Sequence, residues 1–145
     1  MVVFSTPFFG GGFLKIIPRR IIVKLQTIID ERGQLTVIER LPFGIKRVYY
    51  QHHVDPTKDR KGHAHRALRR LMVVVSGGVT VTVRDGKGYR DVRLDDPTMG
   101  MLIEPLQWLE LHDYEPGTVV LVLASMEHDE SDCIRDFAEF KALAK

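Results

Sequence analysis

Two histidines one residue apart, His63-Ala64-His65, are the part of this sequence with the most chemistry in it. In an extended strand, side chains alternate between faces with a period of two, so both imidazoles point the same way and reach one ligand. Histidine is the side chain whose ordinary pKa leaves both protonation states accessible near neutral pH. Two of them on one wall could therefore remove a proton at one atom and supply one at the next. That is the requirement of a carbonyl shift between adjacent carbons through an enediol. His52, His53, His112 and His128 have no such spacing.

On the neighbouring segment, alternation places Arg47, Tyr49 and Gln51 on one face. Arg47 and Tyr49 there could stabilise a developing oxyanion or the phosphates of a ligand. A pair of histidines also raises the question of a metal, which needs three or four protein ligands. Four residues after His65, where a carboxylate ligand would serve, stands Arg69, and a guanidinium repels a cation. The segment from Glu104 to His112 offers Glu110 and His112, with Leu109 where a ligand histidine would be sought. On residue types alone, acid–base chemistry without a metal is favoured and the metal alternative stays open.

These side chains must be positioned by strands. Short alternating or β-branched segments recur at 20–29, 35–39, 46–54, 71–76, 79–84, 89–94, 100–104 and 118–124, with a later strand toward residue 112. Turn residues separate them, notably Asp30-Glu31-Arg32-Gly33, Ser76-Gly77-Gly78 and Asp85-Gly86, the last a strong hairpin signal. This many closely spaced strands predicts an all-β sandwich or barrel. Only the tail reads as helix, capped by Ser131 or Asp132 and following a three-to-four spacing through Cys133, Ile134, Phe137 and Phe140.

The chain has 145 residues, 44% hydrophobic and 28% charged, enough for one domain with a real core. Residues 1–14 are uncharged but broken by three glycines, and a span needs about 20 apolar residues. Positive charge follows this run instead of preceding it, unlike a secretory signal. Residues 1–19 are thus expected to be an N-terminal extension, and 20–145 a single domain. One cysteine, Cys133, cannot form an internal disulfide, so the cytoplasm is the expected compartment. A net charge of +2 hides a split of +9 over residues 1–72 and −7 over 73–145. The densest basic run, Lys58 to Arg70, lacks interleaved aromatic residues, which favours a small phosphate ester over nucleic acid.

Several segments, in order, resemble the sugar 3,4-ketoisomerases of the WxcM-like cupin family. They are Asp30-Glu31-Arg32-Gly33-Gln34-Leu35, Ile45-Lys46-Arg47-Val48-Tyr49-Tyr50, Gly62-His63-Ala64-His65, Trp108-Leu109-Glu110-Leu111-His112-Asp113-Tyr114, Leu121-Val122-Leu123-Ala124-Ser125 and Asp132-Cys133-Ile134-Arg135-Asp136-Phe137. The likeness spans about residues 25–142. It implies a cupin-type jelly-roll β-barrel, metal-free and without a cofactor, acting on a dTDP-linked 4-keto-6-deoxyhexose. The carbonyl would move from C4 to C3, ahead of a transaminase that makes a 3-amino sugar. The resemblance further implies a homodimer that exchanges N-terminal strands. It makes His63 and His65 the proton-transfer pair with Tyr49 nearby, and it places Arg32, Arg47, Trp108, Leu109 and Glu110 at the substrate. Two positions depart from the family pattern. Leu109 stands where histidine is often found, and Arg70 where glutamine is common, which bears on the configuration of the product at C4. The other classes weighed are a non-catalytic cupin that binds a sugar nucleotide and a metal-dependent cupin enzyme.

Overall fold

Twelve β-strands, a single turn of 3-10 helix and one short α-helix make up the regular structure of residues 21–145, the part of the chain that the computed structural model describes. In chain order the strands are β1 (Ile22–Lys24), β2 (Gln26–Asp30), β3 (Gly33–Val37), β4 (Arg47–Gln51), β5 (Arg60–His65) and β6 (Arg70–Ser76). They continue as β7 (Val79–Arg84), β8 (Tyr89–Leu94), β9 (Met99–Ile103), β10 (Trp108–His112), β11 (Val119–Ala124) and β12 (Cys133–Ile134), and helix α1 (Phe137–Leu143) ends the chain. Two five-stranded antiparallel sheets result, ordered β1-β9-β6-β11-β4 and β12-β5-β10-β7-β8, with β2 and β3 forming a separate hairpin. The sheets face each other as a cupin-type jelly roll whose edges stay open instead of closing into a continuous ring.

Alternation explains which side chains fill the space between the sheets. Val79, Val81 and Val83 of β7 meet Met72 and Val74 of β6, Val120 and Val122 of β11, and Leu109 and Leu111 of β10 in the main core. Fully burying each such side chain contributes about 1.5–3 kcal/mol. β6 and β11 read as nearly continuous apolar runs because both of their faces are covered. Leu71, Val73 and Leu123 pack outward against Ile38, Leu41 and Phe43 of the segment before β4. The outer face of the second sheet is closed by α1, where Ala64, Trp108, Ile134 and Phe140 form a third cluster.

The turns follow the sequence signals. Asp85 closes the β7–β8 hairpin by donating its N–H to the Gly88 carbonyl and accepting from the Lys87 and Gly88 amides. Gly77 has φ +74°, and a side chain there would collide with Thr118. Gly62, in β5, lies directly under the Trp108 indole, where an added Cβ would come within 1.9 Å of Nε1. Gly62→Ala should therefore cost about 1–3 kcal/mol through overpacking, read as a lowered thermal midpoint together with altered Trp108 fluorescence.

Two expectations are revised. The predicted strand 20–29 is two strands with a break at Leu25, whose side chain turns into the outer cluster of the first sheet. The predicted helix does not start at residue 131 or 132. Asp136 caps it by accepting from the Ala138 and Glu139 amides, while Cys133 and Ile134 pair with His65 and Ala64 of β5. Strand pairing and burial of Ile134 under Phe140 outweigh the local three-to-four spacing. The expected extension at residues 1–19 lies outside the described residues.

Candidate active site

His63 and His65 end β5 on the face that looks into the inter-sheet space. His63 is paired across the sheet with Leu109 of β10, a core residue, and His65 with Cys133 of β12. The two rings lie edge to face, with centroids 5.2 Å apart. Ala64, between them, points the other way and is buried beneath α1. The alternation read from the sequence therefore describes this strand correctly.

His65 is held by a carboxylate. Asp132 Oδ2 lies 3.2 Å from His65 Nδ1, and both carboxylate oxygens accept backbone N–H groups, Oδ1 from Ala67 at 2.8 Å and Oδ2 from Leu68 at 3.2 Å. Asp132 is 7% exposed and His65 8%. With Nδ1 turned to the carboxylate, Nε2 is the nitrogen left to act on a ligand. Cys133 Sγ is 3.8 Å from the same Nδ1, and burial pushes the thiol pKa up, so it stays protonated.

Both imidazoles are neutral near physiological pH. Burial is the foremost cause, followed by the positive field of Arg70, and each pKa is pushed down to about 4 from 6.5. For His65 the Asp132 carboxylate pulls the opposite way without reversing the shift. Arg135 and Glu130, joined by Nε–Oε1 and Nη2–Oε2 contacts of 2.7 and 3.1 Å, also act on His63 with opposite signs.

The first sheet supplies the facing wall. Arg47, Tyr49 and Gln51 are half-buried and alternate with the exposed Val48 and Tyr50. Tyr49 packs on the inter-sheet core, and the Arg47 guanidinium lies 4.9 Å from its ring centre. Gln51 accepts from the Tyr114 hydroxyl at 2.9 Å.

Other residues singled out in the sequence stand elsewhere. Trp108 and Glu110 occupy the opposite face of β10 from Leu109. Trp108 packs among Phe137 and Phe140, and its Nε1 donates to Glu110, which also meets Arg84. The structure does not bring them to the imidazoles, because the period of two that turns Leu109 inward turns its neighbours outward. Arg32 lies at the tip of the β2–β3 hairpin, 85% exposed and bound to Asp30. The basic run from residue 58 to 70 is dispersed. Arg69 grips Glu104 through two contacts of 2.8 Å, Arg66 meets Glu139, and Arg70 is buried near the histidines. His112 bonds Thr82 and Asp113 on the outer face. Among the described residues, no three His, Cys, Asp or Glu side chains converge as metal ligands, and no helix is long and apolar enough to cross a membrane. A cavity of about 770 Å³ between residues 85–90, 105–107 and 143–145 is lined by no histidine.

Sequence reasoning missed Asp132 as a site residue, since the predicted helix made it a cap. It read Arg70 as part of a basic run and as a departure from the family pattern, not as a neighbour of the histidines.

Two neutral imidazoles, one braced by a buried carboxylate, inside a jelly roll define a cupin equipped for proton transfer. The profile of the WxcM-like, C-terminal family (FdtA) matches residues 19–145, and the chain belongs to this family. A TDP-4-oxo-6-deoxy-alpha-D-glucose-3,4-oxoisomerase of Aneurinibacillus thermoaerophilus is 38% identical over 123 residues, covering 83% of this chain and 88% of the relative. The sugar 3,4-ketoisomerase QdtA of Thermoanaerobacterium thermosaccharolyticum, solved with TDP, is 37% identical, with a TM-score of 0.82 over 85% of this chain and 92% of that one. The WlaRB TDP-quinovose 3,4-ketoisomerase of Campylobacter jejuni is 37% identical, with a TM-score of 0.81 over 83% of this chain and 95% of that one.

Proposed function

We propose that this protein is a sugar-nucleotide 3,4-ketoisomerase that moves the carbonyl of a TDP-linked 4-keto-6-deoxyhexose from C4 to C3. The observation that carries this reading is the neutral His63/His65 pair facing the inter-sheet space, with His65 braced by Asp132. One imidazole takes the C3 proton, and the electron pair forms a C3–C4 double bond as the carbonyl becomes an oxyanion at O4. A proton passes from O3 to O4, and delivery of a proton to C4 leaves the carbonyl at C3. The net change is isomerisation, with no cofactor consumed. Tyr49 stands on the facing wall beside Arg47, and in this reading it is the neighbouring group of the histidine pair. The 3,4-ketoisomerase QdtA, as a His-to-Asn mutant, has been solved with TDP-4-keto-6-deoxyglucose, which supports this class of substrate. A 3-keto product suits a following transamination to a 3-amino sugar, and the lone Cys133 suits the cytoplasm.

The same reading includes a homodimer. Ile29 and Leu35 on the β2–β3 hairpin are 70% and 58% exposed, and β4, an edge strand, exposes Val48 and Tyr50. Unpaired edges and apolar faces of this kind are ordinarily covered. Exchange of the hairpin between copies would cover both and carry Arg32 toward the partner's pocket. Light scattering should give twice the 16.6 kDa chain mass, and Ile29→Lys with Leu35→Lys should shift the protein to monomer. A wild-type monomer would refute the exchange.

The functional test is turnover. Purified protein mixed with TDP-4-keto-6-deoxyglucose, without added metal, should yield a TDP-3-keto sugar by proton NMR. No conversion of any nucleotide 4-keto sugar would defeat the proposal.

A further inference from the structure

Arg70 begins β6 and is only 3% exposed, yet its Nε has no hydrogen-bond partner and no carboxylate among the described residues pairs with it. Several other arginines of the chain are paired with carboxylates. Arg69 is paired with Glu104, Arg93 with Glu115 and Arg135 with Glu130. A buried guanidinium lacking a counter-charge carries a desolvation cost of several kcal/mol. Such a group is retained where a bound anion completes it.

Its placement indicates which anion. Arg70, Met72 and Val74 alternate onto the inner face of the first sheet, and the latter two belong to the inter-sheet core. Arg70 is registered opposite Ala124 of β11, and Ala124 opposite Arg47 of β4, so a single methyl group separates the two arginines on that face. Arg47 Nε is likewise buried without a partner. Of the two, Arg70 is the foremost charged group acting on both His63 and His65.

We propose that Arg70 contacts the reacting sugar itself, its guanidinium donating one N–H to O3 and one to O4 so that it stabilises the enediolate between the two carbonyl positions. This assignment rests on the ketoisomerase reading. When a histidine removes the C3 proton, the carbonyl electrons collect on O4, and O3 and O4 become neighbouring oxygens on one planar double bond, sharing one proton. A planar fork of N–H donors fits two adjacent oxygens better than a point charge does. The fork gains most where negative charge appears only after proton abstraction, and such preorganised donors act mainly on kcat.

The test uses the full-length wild type with Arg70→Met, Arg70→Gln and Arg70→Lys, assayed on TDP-4-keto-6-deoxyglucose by NMR, with calorimetric binding of TDP alone. Arg70→Met should lower kcat by about 10²-fold or more, leaving KM and the Kd for TDP within about threefold. Arg70→Lys, which keeps the charge without the fork, should recover part of the rate and exceed Arg70→Gln by about tenfold. A folded Arg70→Met within about threefold of the wild-type kcat overturns the assignment, as does a loss of TDP affinity with kcat unchanged. If Arg70→Met does not fold, equal rates for the lysine and glutamine variants overturn it. An inactive wild type refutes the ketoisomerase reading, whereas an active wild type with a fast Arg70→Met refutes only the role of Arg70.

Discussion

His65→Asn is expected to lower kcat by about 10³-fold or more, because it removes a group that carries a proton in the reaction and not one that merely binds. Asparagine fits the site, since its side-chain amide can donate to Asp132 Oδ2 as the imidazole Nδ1 does now, 3.2 Å away. The thermal midpoint and the affinity for TDP should therefore change little. A folded variant that retains a tenth of wild-type turnover would remove His65 from the mechanism. The wild-type pH profile is a companion result. Both imidazoles sit near 4, so kcat/KM should stay level as pH falls through 6.5 and drop only as the rings protonate near 4. Stability moves earlier. The unfolded chain takes up protons below 6.5 while the folded imidazoles remain neutral, so stability declines between 6.5 and 4. A limb of kcat/KM centred at 6.5 would show that the acting histidine is not a buried one.

Asp132→Asn should cost kcat about 10²–10⁴-fold, a range set by what loss of a histidine-orienting carboxylate does in other enzymes. The physical reason is the count of donors. Asp132 now accepts from His65 and from the Ala67 and Leu68 amides. An asparagine there has one acceptor oxygen and an NH₂ that must face a donor. Either the backbone amides lose their partner or His65 changes tautomer and presents the wrong nitrogen to the sugar. The variant should also be less stable by roughly 1.5–3 kcal/mol, the range for hydrogen bonds to charged groups. Kinetics separates the two effects, since a purely structural role would lower the thermal midpoint and leave the turnover of folded protein intact. Asp132→Glu, which keeps the charge but not the reach, should recover less than half of the rate on the same logic.

The comparison of sequence with structure is most instructive at β5 and at the residues that close on it. The orientation of His63 and His65 was legible because strand alternation is local: once the segment is extended, residues two apart must share a face. For the same reason Arg47, Tyr49 and Gln51 were read correctly as one face of β4, and the Asp85-Gly86 turn as a hairpin. The family resemblance placed Trp108 and Glu110, with Leu109, at the substrate. Alternation of β10 turns them to the helix-covered side.

What the amino-acid order determined by itself was an all-β chain and a pair of imidazoles on a common wall, since both follow from short-range periodicity. Tertiary structure alone decided that Cys133 and Ile134 form a strand, that Asp132 lies against His65, 67 residues away in the chain, and that Arg70 is buried near both histidines with no ion-pair partner among the described residues. Those outcomes depend on which strands become neighbours, a competition among burial and pairing energies over long separations that no local pattern records.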